Sequence, residues 1–87
     1  MEAILMFLAT FNCYPNVTFE EADKTYYKNG VVYLSHPITK AKIVHEMVHD
    51  CQEQNAGGPA EDRAEWNRRE RAAKWIELQW IQLRNAQ

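Results

Sequence analysis

Apolar positions recur along this chain in two rhythms, and the places where the rhythm changes divide it into elements. Ala3 to Phe11 is an almost unbroken apolar run rich in Ala, Leu and Met. It reads as a short core helix that ends before Pro15, because the residue ahead of a proline is pushed out of the helical region. Val17-Thr18-Phe19 is a short extended stretch, and Glu20 to Lys24 reads as a solvated connection. Thr25-Tyr26-Tyr27-Lys28 and Val31-Val32-Tyr33-Leu34 are β-branched and aromatic and flank Asn29-Gly30, a pair suited to a type I′ turn, so they predict a β-hairpin. From Thr39, a plausible N-cap, the rhythm lengthens to threes and fours. Ala41, Val44, Val48 and Cys51 mark one face of a helix from Lys40 to about Gln54. Asn55-Ala56-Gly57-Gly58-Pro59 stops it, and a second helix from about Ala60 to Arg84 carries the stripe Trp66, Ala73, Ile76, Trp80 and Leu83. Trp75, Leu78 and Ile81 lie off that stripe, where they would cover the hairpin or meet another copy of the chain. The pattern predicts a mostly helical α+β fold in one domain spanning residues 1–87, with a hairpin packed on the first long helix and a second long helix returning antiparallel to it.

Composition narrows the function classes. A chain of 87 residues has room for one modest core, burying about 60–65% of its unfolded surface, so a bound metal would add usefully to stability. The net charge of −2 and pI near 5.9, with basic residues interspersed among acids, provide no field for nucleic acid. The N-terminal apolar run follows Glu2 rather than a basic segment, is too short to span a bilayer and has no cleavage-site pattern, so a cytoplasmic protein without membrane contact is expected. Cys13 and Cys51 are then expected to be reduced thiols. Cys51 would be a small core residue directed away from His49, and Cys13 sits in a turn with no assigned role.

The chemistry is concentrated in His45-Glu46-Met47-Val48-His49. Residues four apart share a helix face, so both imidazoles can reach one Zn²⁺ while Glu46 addresses a water at the ion. Two neutral imidazoles suit a borderline-soft cation, and a carboxylate that is not a ligand can act as general base. Apolar Ile43, Val44, Met47 and Val48 show that this helix is half buried, and buried histidines need partners.

A catalytic zinc keeps three protein ligands. Glu53 cannot be the third, because eight residues of helix, about 12 Å, separate it from His45. Among Glu61, Asp62, Glu65 and Glu70 on the following helix, Glu70 has enough intervening chain to come back alongside the motif, and it projects within about 60° of Trp66 and Ala73. Glu70 leads, and Glu61 and His36 remain open; a strand-end histidine beside a proline is more often simply exposed. Tyr26, Tyr27 and Tyr33 on the hairpin could donate to a developing oxyanion.

His45-Glu46-Met47-Val48-His49, followed 21 residues on by Glu70-Arg71-Ala72-Ala73, resembles the gluzincin metallopeptidases, whose pattern is H-E-x-x-H with a downstream glutamate, often E-x-x-A. The small size is most similar to the minigluzincins and to short zincin-like proteins of phages and prokaryotes. The resemblance covers about Tyr26 to Leu83. It implies a minimal zincin-like fold, one zinc held by His45, His49 and Glu70, Glu46 as general base and proton shuttle, and a peptide or protein substrate. Many gluzincins orient a zinc-bound histidine with an acid four residues after the ligand glutamate; here Lys74 stands there, leaving Asp50 or Asp62 to do it. The resemblance further implies an open, shallow site, since only four residues follow Leu83. The competing expectation is a zinc-stapled interaction module that binds a partner through the hairpin edge or the Trp75-Leu78-Ile81 face.

Overall fold

The computed structural model describes residues 1–85. Helix α1 (Glu2–Ala9) is followed by strands β1 (Thr18–Glu21), β2 (Tyr26–Lys28) and β3 (Val31–Leu34), then by α2 (Lys40–Ala56) and α3 (Arg63–Asn85). The mostly helical α+β architecture agrees with the sequence pattern. Each boundary has a local cause. Asn29 and Gly30 sit at φ 50° and 80°, so the two-residue turn takes the primed form that matches the strand twist. The Thr39 hydroxyl accepts from the Lys42 N–H at 3.2 Å and starts α2. Gly57, at φ 79°, ends it by donating its N–H to the Glu53 carbonyl. Helix α3 begins at Arg63 rather than at about Ala60, because Asp62 Oδ1 accepts from the Glu65 N–H at 2.8 Å and makes Asp62 the cap.

The sheet has the order β1-β3-β2. The hairpin pairs as expected, Tyr26 with Tyr33 and Lys28 with Val31. β1 lies parallel to β3, from Thr18 opposite Val31 to Glu21 opposite Leu34, so Glu20 and Glu21 belong to a strand and not to a connection. All four β1 residues are exposed, and an edge strand with neither face buried carries no alternation to read. On the inner face of β3, Val32 and Leu34 are buried against α2; on the outer face Tyr26 and Tyr33 stack at 4.5 Å.

The core joins Ile4 and Leu8 of α1, Val44, Met47, Val48 and Cys51 of α2, and Ala73 and Trp80 of α3. Phe7 meets Trp80 edge-on at 5.2 Å. The stripe of α3 is therefore only half core: Trp66 and Leu83 are 49% and 47% exposed. Trp75 packs edge-on against Phe11 at 5.8 Å rather than over the hairpin, and Ile81 packs against the core.

Cys13 and Cys51 form a disulfide, with Cα atoms 5.5 Å apart. This corrects the expectation of free thiols. After α1 the chain reverses at Asn12, φ 58°, and the Cys13 N–H returns to the Leu8 carbonyl, which lays Cys13 against the last turns of α2. Cys51 does point away from the metal face as expected, and that direction is what delivers it to Cys13. No helix among the described residues is long and apolar enough to cross a membrane.

Candidate metal centre

α2 is covered on two sides, and this creates the site. Its His45/His49 face looks to α3, and its Glu46/Asp50 face looks to the sheet. Helix α3 runs antiparallel to α2, since His45 meets Glu77, His49 meets Glu70 and Gln52 meets Arg69. Between β2 and α3 a cleft of about 530 Å³ opens onto α2, with Tyr27, His45, Glu46, His49, Trp66 and Glu70 in its wall.

His45, His49 and Glu70 converge, with all three candidate ligand atoms within 4.8 Å of one another. Glu70 Oε1 lies 3.3 Å from His45 Nε2 and 2.6 Å from His49 Nε2. In a tetrahedral zinc site with bonds of about 2.0–2.1 Å, neighbouring ligand atoms are about 3.3 Å apart, so the first spacing already matches and the second needs only a small opening. The other ring nitrogens are engaged behind the cluster. His45 Nδ1 lies 2.9 Å from Glu77 Oε1, and His49 Nδ1 lies 2.9 Å from Gln52 Oε1. Gln52 donates its Nε2 to the Arg69 carbonyl, which fixes the amide so that its oxygen faces the imidazole. With both Nδ1–H groups donated backward, each Nε2 presents a lone pair forward, toward a carboxylate oxygen. Three acceptors facing one point fit a cation, and two imidazoles with a carboxylate suit zinc.

Glu77 is the residue of the candidate site that sequence reasoning missed. Seven residues after Glu70, it returns to the same face of α3 after about two turns. It is pinned by Lys74 Nζ at 3.3 Å on its other oxygen. Lys74, found where an orienting acid was sought, thus steadies the acid one turn further on. The i, i+7 repeat was the available signal. Asp50 and Asp62 have other work: Asp62 caps α3, and Asp50 accepts from Tyr27, Asn16 and Gln54. Glu61 lies exposed in the turn before α3, and His36, 72% exposed, pairs with Glu21; neither is at the cluster.

Glu46 is 9% exposed, and among the described residues no donor reaches its carboxylate, whose oxygens keep contact with solvent at the cleft. Burial pushes its carboxyl above the ordinary glutamate range; His45 and His49 pull it down, and Glu70 and Glu77 push it up. A buried carboxylate held beside a convergent ligand set, with no protein donor to satisfy it, is what a general base requires. The tyrosines supply no oxyanion donor: Tyr27 is committed to Asp50, and Tyr26 and Tyr33 stack on the far face of the sheet. The Tyr27 phenol is pushed up to about 12, first by burial and then by its bond to Asp50.

No family model, curated protein or solved structure matches this chain.

Proposed function

We propose that the chain is a zinc-dependent metallopeptidase of gluzincin type, holding one Zn²⁺ through His45, His49 and Glu70. The observation that carries this reading is Glu46, largely buried, free of protein donors and open to the cleft, beside three converging candidate ligand atoms. A purely structural zinc site gains nothing from such a carboxylate and bears its desolvation cost. The ion, when bound, supplies Lewis acidity. Glu46 takes a proton from the attacking water as its oxygen adds to the scissile carbonyl carbon. It then passes that proton to the amide nitrogen as the C–N bond breaks. Glu77 and Gln52 hold the two imidazoles in one tautomer and orientation. The free edge of β2 borders the cleft and can take an extended peptide as an added strand.

The test combines metal analysis with three substitutions. Purified protein should contain about one zinc per chain, lost in His49→Ala and Glu70→Ala. Glu46→Gln should keep the zinc and lose about 10²–10⁴-fold in peptide hydrolysis. No zinc under replete conditions refutes the site; zinc without hydrolysis in the wild type refutes the enzyme and leaves the interaction module. A cytoplasmic setting also remains a proposal, with a condition attached. Cytosolic thiol pools keep most cysteines reduced, so there the protein would work without its Cys13–Cys51 bond.

A further inference from the structure

The hydrogen bonds of Asp50 lead away from the metal and toward the strand that borders the cleft. Asp50 is 5% exposed, and its two oxygens accept from the Asn16 N–H at 2.9 Å, the Gln54 amide at 2.7 Å and the Tyr27 hydroxyl at 2.6 Å. The Tyr27 oxygen in turn accepts from the Gly30 N–H at 3.0 Å. One buried carboxylate on α2, one residue beyond His49, thus holds both the middle of β2 and the turn that closes the hairpin.

The register shows what that brace controls. In a two-residue hairpin the pair flanking the turn exchanges both main-chain bonds, and such pairs alternate with non-bonded ones. Here Lys28 and Val31 are the flanking pair, so Tyr26 and Tyr33 exchange theirs and the Tyr27 N–H and C=O turn outward. β2 is an edge strand, and its Thr25–Asn29 segment lines the cleft opposite His45, Glu46 and His49. The residue whose side chain is tied to α2 is the one whose main chain faces the cleft.

We propose that Tyr27 is a positioning residue for substrate, its phenol fastened to Asp50 so that its outward main-chain N–H and C=O pair with an extended peptide at a fixed distance from the metal ligands. The proposal rests on the peptidase reading for its substrate. The brace itself can be tested without it. A short three-residue strand with one neighbour has little of its own to hold it. The tie to a buried carboxylate replaces the missing second neighbour, and it is charge-assisted.

The experiment compares zinc-loaded wild type with Tyr27→Phe, which keeps the ring in the wall and removes only the hydroxyl. Amide hydrogen exchange is followed residue by residue, and hydrolysis is measured on a library of internally quenched extended peptides. Exchange at the hydrogen-bonded amides of Tyr26, Lys28 and Gly30 should quicken by about tenfold with the His45–His49 segment and zinc stoichiometry unchanged, and KM should rise by about tenfold with kcat nearly constant. Unchanged exchange in β2 overturns the brace, whatever the activity. Faster exchange with unchanged KM, or a fall in kcat alone, overturns the positioning role. If the wild type cleaves no peptide in the library, the peptidase reading fails and the substrate role of Tyr27 with it, and exchange alone then decides whether Asp50 holds the strand.

Discussion

Reducing the Cys13–Cys51 bond is the perturbation whose size follows most directly from the structure. The bond closes a loop of 38 residues, and the chain-entropy relation for a loop of that length gives about 13 cal/mol/K, or about 4 kcal/mol at 25 °C. Reduction leaves both sulfurs in place, so it removes the constraint on the unfolded chain without cutting a cavity into the core. An 87-residue domain is stable by roughly 4–13 kcal/mol, so the bond supplies a third of that or more. The expected fall in melting temperature is about 15–30 °C. The assay is urea unfolding in a metal chelator, with and without a phosphine reductant, comparing extrapolated free energies rather than midpoints because the reduced chain exposes more surface on unfolding. Cys13 and Cys51 are 4% and 6% exposed, so native protein should resist reduction until it is opened. A loss below about 1 kcal/mol, with reduction verified by thiol titration, refutes the reasoning. So does free thiol detected in denaturant before any reductant is added.

Glu77→Ala should weaken zinc binding by about 10–100-fold while leaving the ligand set intact, read by competition with a chromogenic chelator; unchanged affinity would remove Glu77 from the site. The raised Tyr27 phenol predicts an alkaline limb. The unfolded tyrosine ionises near 10 and the folded one near 12, so the folded state binds the extra proton between those values. Stability present below pH 10 is therefore lost as pH rises toward 12, and the near-ultraviolet tyrosinate signal should contain a late component missing from Tyr27→Phe.

The elements legible in the sequence were those whose cause is local. Asn29-Gly30 writes its turn into two adjacent residues, Thr39 and Gly57 bound α2 by their own chemistry, and His45 with His49 share a face on any helix. Glu70 could be chosen over Glu61 because chain length and helical phase are sequence quantities, and it is Glu70 that reaches the cluster. What escaped depends on distances between elements. Nothing in one dimension says that the turn after α1 sets Cys13 against α2, or that exposed β1 pairs parallel to β3. Asp50 shows the same limit from another side. With Lys74 where an orienting acid was sought, Asp50 was one of two residues expected to orient a histidine, but a step of about 100° round the helix from His49 carries it to the sheet face and into contact with Tyr27.

These fastenings explain how so small a chain can hold a site between elements. Its core is thin, and two of the three candidate ligands sit on α2 with the third on α3. Helix α2 is secured on each exposed flank by something other than apolar burial: a covalent bond to the segment after α1, the Asp50–Tyr27 bond to the sheet, and the His45–Glu77 and Gln52–Arg69 contacts to α3. Only the last of these involves the candidate ligands. Metal binding should thus stabilise the docking of α3 on α2 far more than the sheet or α1, because the ion would bridge those two helices alone. In that arrangement loss of metal should loosen the wall carrying Glu70 and Trp66 while the β2 wall keeps its place, which leaves the β2 edge formed before the metal arrives.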